Sequence, residues 1–258
     1  MGIDFHDQKN HLSYATREAD RSWVETIRGL IQVEDIKKAV DIGCGGGIYL
    51  KALSDMGILS VTGVDFSEVS LEGAKENCKE YENIFLHYGN AVESGLPDHQ
   101  FQLLLERALI HHITDLEACF AEAYRILEDD GTYIIQDRTP EDCLLEGNEK
   151  HIRGYFFEAF PRLIDKEIKR RHSSEVVIEK LKEAGFRKIQ EVKLWEVRKI
   201  HNTKQQLLKD LHERTGRSIL HELDDHEIAT LISYIDNSIS EVSEVVEKDR
   251  WTIWKAVK

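Results

Sequence analysis

Two groups of residues in this chain of 258 have types and spacing that can do chemistry. The first is VDIGCGGGIYL, Val40 to Leu50, a glycine-rich turn between a strand and a helix. Glycine there lets a ligand approach the backbone and lets strand and helix pack closely. The helix behind it presents N–H groups to an anionic or polar ligand atom. The spacing is an acid followed by glycines at alternate positions: Asp41, Gly43, Gly45, Gly47. A dinucleotide fingerprint needs Gly-x-Gly-x-x-Gly/Ala, and here the third position is Ile48, so an NAD-type oxidoreductase is the weaker alternative. The second group is His111 and His112. They follow an apolar strand and face the site or its rim. Histidine titrates near neutrality and can serve as a general base, which makes His111 the candidate catalytic and substrate-contacting residue. The plainer reading is that one of the pair caps or packs the next helix. No further ligand set has metal spacing, so no metal is expected. Cys44, Cys78, Cys119 and Cys143 lie far apart without CxxC and read as reduced thiols.

These residues need elements to position them. Lys37–Gly43, Ser60–Asp65, Asn83–Gly89, Phe101–Glu106 and Thr132–Asp137 read as apolar strands. Between them lie helices at Ile48–Met56, from an N-cap at Ser67 to Glu80, and from a Thr114/Glu117 capping box to Leu127. Such alternation predicts a parallel sheet covered on both faces, with ligands at the carboxyl ends of the strands. After Arg138 the rhythm changes. Short helices and the aromatic cluster Tyr155, Phe156, Phe157 and Phe160 fill 140–172; the cluster reads as core rather than a substrate cage. A helix over Ser174–Ala184, a sixth strand over Phe186–Val197 and a helix over Gln205–Arg214 follow. A long helix starts at Asp224 and carries an apolar stripe through Val246, either a lid or a dimer contact. Arg250–Val257 reads as a seventh, edge strand on which Trp251 and Trp254 pack.

Hydrophobic residues make up 41% and charged residues 32%, with three prolines, so the chain is globular and its core needs no disulfide or metal. The net charge of −14 argues against binding a phosphate backbone. No apolar run spans a bilayer, and the N-terminus lacks a signal pattern, so the cytoplasm is the expected location. The charge is uneven: residues 1–130 carry net −13 and residues 150–204 net +7. The run Lys166, Lys169, Arg170, Arg171 reads plainly as a solvated helix face. The sharper reading is that some of these cations, with Arg138, draw an anionic small substrate toward the cleft.

The glycine turn resembles the nucleotide-binding motif of class I S-adenosylmethionine-dependent methyltransferases. VTGVDFSEVSL, HYGNAVESGLP, FQLLLERALIHHI and EAYRILEDDGTYIIQD follow in the family's order over residues 38 to 138. The nearest resemblance is to the subgroup (methyltransferase type 11) that includes the ubiquinone- and menaquinone-biosynthesis methyltransferases. It implies a Rossmann-like methyltransferase fold, S-adenosylmethionine as cofactor, and methyl transfer to a small-molecule acceptor with release of S-adenosylhomocysteine. It further implies that Asp41, Gly43, Cys44, Gly45 and Gly47 hold the methionine part, that Asp65 binds the ribose and that Phe66 flanks the adenine. Asn90 and Ala91 would meet the adenine edge, and Glu106 and Arg107 would lie near the sulfonium. Ser13–Trp23 is similar to the subgroup's lid helix, which puts Tyr14 and Arg17 over the cofactor. Two positions depart from the family. Asn90 stands where Asp is usual and can still accept a hydrogen bond through its carbonyl oxygen; Gln102 begins a strand and is structural.

The expected architecture is a doubly wound, mostly parallel seven-stranded α/β sheet with a helical cap. Residues 1–30 form an N-terminal lid helix and 31–139 the cofactor core. Residues 140–258 add the remaining strands, with cap insertions at 140–172 and 198–249. The expected partner is a small, anionic substrate, with no nucleic acid and no membrane span, in a monomer or homodimer. A catalytically idle binding protein on this scaffold is the remaining alternative.

Overall fold

Strand alternation builds two apolar layers on one sheet. The computed structural model describes residues 18–241 and 243–258; Tyr14, Arg17 and Val242 lie outside the described residues. Helix α1 (Arg21–Leu30) precedes β1 (Lys38–Ile42), α2 (Ile48–Asp55), β2 (Ser60–Asp65), α3 (Glu68–Asn77), β3 (Ile84–Tyr88), β4 (Phe101–Arg107), α4 (Leu116–Ile126) and β5 (Leu127–Asp137). Val40, Ile42, Leu104 and Ile135 face one layer with Phe120, Ala123 and Ile126 of α4. Ala39, Leu103, Leu105 and Ile134 face the other with Trp23 and Ile27 of α1 and Leu50 and Leu53 of α2. A parallel sheet buried on both faces needs just such continuous apolar strands.

β1 pairs in parallel with β2 and β4, β2 with β3, and β4 with β5. The order is β3-β2-β1-β4-β5-β7-β6, with β6 (Arg187–His201) outermost and β7 (Val245–Val257) antiparallel to β5. This is the expected seven-stranded, mostly parallel α/β sheet. Its strand order reverses direction between β1 and β4, which fixes the switch point at the loops following those two strands. Gln102 is structural: its Oε1 accepts the Lys37 and Lys38 N–H groups at the start of β1, at 3.2 and 2.8 Å.

Four expectations about elements are corrected. Helix α4 is capped by Asp115, whose carboxylate accepts the Ala118 N–H at 3.0 Å, one residue after the expected Thr114. β5 starts at Leu127 and bulges, because Phe101 pairs with Leu127 but Leu103 already with Thr132. The helix beginning at Asp224 ends at Ser238, and Val246 belongs to β7. From Val245 burial alternates residue by residue, so a period of two replaces the helical period that the apolar stripe seemed to continue. β7 is an interior strand, not an edge, with β5 and β6 on its two sides; Trp254 packs in the core and its Nε1–H donates to Ser174 Oγ at 2.8 Å.

The described chain divides into two units. One comprises residues 18–137 with Ser174–Leu194 and Thr252–Lys258; the other comprises Arg138–Ser173 and Trp195–Trp251. The second unit holds α5 (Pro140–Cys143), α6 (Gly154–Ala159), α7 (Ile164–Lys169), α9 (Lys204–His212) and α10 (Asp225–Ser238), whereas α8 (Ser174–Glu183) belongs to the first. Tyr155, Phe156 and Phe157 are buried in the second unit's core with Leu207, Leu231 and Ile235, as the core reading of the aromatic cluster expects. Among the described residues, no helix is long and apolar enough to cross a membrane.

The cap assignment is testable. Asp115→Ala should cost about 1 kcal/mol in denaturant unfolding and Thr114→Ala under about 0.5 kcal/mol, the reverse of the order the sequence suggests.

Candidate functional site at the switch point

The glycine turn is held by its own backbone. Gly43, Gly45 and Gly47 all have positive φ (76°, 51° and 82°), a region closed to most side chains. A Cβ on Gly47 would fall 2.8 Å from Cys78 Sγ, and one on Gly43 3.0 Å from Leu109 Cδ1. At Gly45 a Cβ would meet nothing within 4 Å, so the turn is open on that side. The Gly43 and Cys44 N–H groups both donate to Val64 O, at 2.8 and 3.0 Å, and the Asn77 side chain donates to Gly46 O at 2.8 Å. The Cys44 side chain is buried, and burial pushes its thiol up, so it is a packing group with no nucleophilic role.

Two acids meet at this turn. Asp65 ends β2 and is buried; its two oxygens accept the Gly45 N–H and the Ser67 N–H, each at 2.9 Å. Burial raises the Asp65 carboxyl above its ordinary value and these backbone hydrogen bonds oppose the rise. Asp41 is 2% exposed; burial and then the nearby Asp65 charge push its carboxyl well up, while Arg107 pulls it down. The Arg107 guanidinium lies 4.5 Å from the Tyr49 ring centroid, and Tyr49 packs edge-on against Trp23 at 4.7 Å. Sequence reasoning missed Tyr49, although its place at the start of α2 was the available signal. Phe66, next to Asp65, is 55% exposed.

The loop after β4 leans on the glycine turn through Leu109, and it brings in a residue the sequence reading passed over. Ala108 takes φ 53°, a strained conformation for alanine, while its N–H donates to Gln136 O at 2.8 Å. The chain then turns so that His111 Nδ1 lies 2.8 and 3.0 Å from the Asp137 oxygens, and the His111 backbone N–H donates to the same carboxylate at 3.2 Å. Asp137 ends β5 and is 2% exposed. His112 is exposed, its ring centroid 3.9 Å from that of His111.

Three of the expected site residues have partners within the protein. Glu106 sits opposite Ile42 in the β1–β4 register and shares its face, so it points away from Asp41. It accepts from Tyr133 Oη at 2.6 Å and from the Cys119 thiol at 3.5 Å, and burial pushes its carboxyl up to about 7. Its side chain is a buried core group. Asn90 Oδ1 already accepts the Val92 and Glu93 N–H groups, both at 2.9 Å, so only its amide nitrogen remains to meet an adenine. Ala91 is buried against the α4 layer. The Arg138 guanidinium lies 2.9 Å from Asp249 and 4.7 Å from the Trp251 ring centroid, so its charge is already partnered. The basic run is not one solvated face either: Arg171 is buried on Glu167, Lys166 pairs with Glu222, and Arg170 donates to Ser218 Oγ at 2.7 Å.

The proton on Glu106 has a consequence for stability. The folded protein keeps it up to about pH 7, whereas the unfolded chain releases it near the ordinary glutamate value of 4.5. Stability should therefore fall as pH rises between these values, by on the order of 2–3 kcal/mol. Glu106→Gln keeps an acceptor for Tyr133 and cannot ionise. Its Tm should be flatter than that of the wild type over this range, and parallel curves would refute the assignment.

The segment that carries this site is similar to known proteins. Residues 40–135 match the methyltransferase domain family Methyltransf_11. A demethylmenaquinone methyltransferase from Staphylococcus aureus is 30% identical over 119 residues, 45% of this chain and 49% of that protein. The chain spans about half the length of the curated relatives it matches. A methyltransferase from an antibiotic biosynthesis pathway of Anabaena variabilis, described as putative, superposes with a TM-score of 0.68 at 21% identity, over 93% of this chain and 98% of that one. Phosphoethanolamine N-methyltransferase 2 of Haemonchus contortus, solved with S-adenosyl-L-methionine, gives 0.59 at 20% identity over 99% and 60%. The likeness of these structures is one of fold, and the matched segment contains the glycine turn, Asp65 and His111. Residues 40–135 thus match a methyltransferase domain, and the described chain shares the fold of solved methyltransferases.

Proposed function

We propose that this protein transfers the methyl group of S-adenosylmethionine to a small-molecule acceptor, with His111 taking the acceptor's proton. The carrying observation is the His111–Asp137 pair, in a loop packed on the glycine turn. With Nδ1–H donated to Asp137, Nε2 is the basic nitrogen of the imidazole. Asp137 also accepts the His111 backbone N–H, so one carboxylate fixes tautomer, ring and turn together.

The residues present fit the cofactor. When bound, S-adenosylmethionine supplies an electrophilic methyl on a cationic sulfonium. Asp41 and Asp65 form a buried acidic pair whose raised carboxyls a cationic group would relieve. Asp65 uses one lone pair on each oxygen within the protein and keeps acceptor capacity for ribose hydroxyls. Gly45 leaves open space beside the backbone, and Phe66 offers an exposed ring for an adenine face. Methyl transfer needs chiefly alignment in a water-poor site, so His111 holds and accepts a proton and Asp137 positions it. Four free, buried cysteines support a reducing, cytoplasmic setting.

Titration calorimetry should show S-adenosylmethionine binding to the wild type, weakened about tenfold or more in Asp65→Asn. No binding at millimolar cofactor would end this reading. In methyl-transfer assays over a panel of phenolic and carboxylate acceptors, His111→Ala should lower kcat about 100-fold with cofactor affinity unchanged. Asp137→Asn should lower kcat and distort the acid limb of the pH profile; a wild-type profile would remove Asp137 from the mechanism.

A further inference from the structure

We infer that Asp41 makes this site selective for adenosine derivatives that carry a positive charge, by holding a proton that only such a ligand displaces. The inference deepens the methyl-transfer reading and rests on it for the identity of the cation, a group of the bound methyl donor.

Two acids end neighbouring strands and differ in what surrounds them. Asp41 of β1 is in register with Gly63 of β2, and Asp65 follows two residues after that glycine. The backbone is built to hold a negative charge on Asp65. Its two oxygens accept the Gly45 and Ser67 N–H groups, each at 2.9 Å, and hydrogen bonds to a carboxylate favour the ionised form. Asp41 lacks such support. It is 2% exposed, and among the described residues no hydrogen bond or ion pair reaches its carboxyl. Ionised, it would be a buried charge without a donor, which is costly. An ionised Asp65 beside it disfavours a second negative charge further. The charge therefore rests on Asp65 and the proton on Asp41.

The other groups that act on Asp41 do not reverse this. Arg107, at the end of β4, favours ionisation but forms no ion pair with it, and its guanidinium lies over the Tyr49 ring. Glu106 of the same strand opposes ionisation. The Cys44 thiol of the glycine turn is pushed up by burial and by both aspartates, so it stays neutral. Burial is the largest influence on Asp41, whose carboxyl lies well above its ordinary value.

A cation brought against the pair supplies the counter-charge that the backbone does not. The O–H bond of Asp41 then breaks, its electron pair stays on the carboxylate, and the proton leaves to water. An uncharged adenosine derivative can still use Asp65 through its ribose hydroxyls but leaves Asp41 protonated. Because the ligand-free protein holds this proton more tightly than the complex does, affinity for the cation should rise with pH between the two titrations. The slope is up to about tenfold per pH unit for one proton, and affinity for the uncharged ligand should stay level.

Calorimetric titration of the full-length protein with S-adenosylmethionine and with uncharged 5′-deoxy-5′-methylthioadenosine tests this. Each titration is run in two buffers of different ionisation enthalpy, below about pH 7, where the ligand's own ammonium keeps its proton. About one proton should be released per S-adenosylmethionine bound and none with the analogue. Asp41→Asn should abolish both the release and the pH slope. Should that variant not fold, the infrared difference spectrum of the wild type carries the test. There the band of a protonated carboxyl must fall on binding S-adenosylmethionine and persist with the analogue. Binding of S-adenosylmethionine without proton release, or equal release with both ligands, would overturn the role of Asp41 and leave the methyl-transfer reading standing. No binding of S-adenosylmethionine at millimolar ligand would remove both.

Discussion

One carboxylate ties together the three segments on which the site is built. Asp65 terminates β2 and accepts the Gly45 N–H from the turn after β1 and the Ser67 N–H ahead of α3, while Ser67 Oγ accepts the Ser70 N–H in the first turn of that helix. The left-handed glycines make this possible, because only a backbone without Cβ can pass so close to α3 and to the loop after β4. A buried acid is costly unless hydrogen-bonded. Here the backbone of the turn provides those bonds, so the conformation of the turn and the ionisation of Asp65 stabilise each other. Neither would be stable in that form alone.

Three acids near the ends of β1, β2 and β4 then have different fates, set by which face of the sheet they occupy. Asp41 and Asp65 share a face with Arg107 and Tyr49, so their charge has a cation beside it. Glu106, one residue from Arg107, falls on the other face among Tyr133, Cys119 and the α4 side chains, where a proton is a better companion than a charge. Strand pleat decides between them. The same constraint brings Asp137 beneath His111, since β5 runs beside β4 and ends level with its loop.

The fold was largely legible in the sequence, because buried parallel strands write themselves as apolar runs and the glycine turn marks its own place. The limits have physical causes. A capping residue is chosen by which side chain reaches the N3 N–H, and Thr114 and Asp115 stand one residue apart with similar chemistry. The steps of the α10 stripe continued into β7 because Val245 and Val246 suit either period, and only pairing with the sheet distinguishes them. Asp65 could be read from its motif. Asp137 could not, since its importance arises from a partner 26 residues away in sequence. The partners of Glu106 were hidden for another reason: the resemblance supplied a position, and the face of the strand sets what the side chain touches.

The unit of residues 138–173 and 195–251 follows a different logic. It has its own apolar core, yet it also buries Asp210, Glu247, Arg217, Asp249 and Arg153. Glu247 is held well below the usual carboxylate range by Arg198 and Arg217, and Arg217 bridges it to Asp210. His201, Asp210 and Glu247 converge as metal ligands would, but those two guanidinium groups already supply the positive charge. Apolar residues of similar volume would usually be at least as stabilising as such pairs. What ion pairs add is direction: each guanidinium permits a narrow set of partner positions, so a loop-rich segment acquires one arrangement in place of many. The network of Arg198, Lys199 and Arg217 on Asp210 and Glu247 meets that need. The neighbouring cluster of Arg138, Arg153 and Arg171 on Asp249 and Glu167 fixes the same segment in the same way.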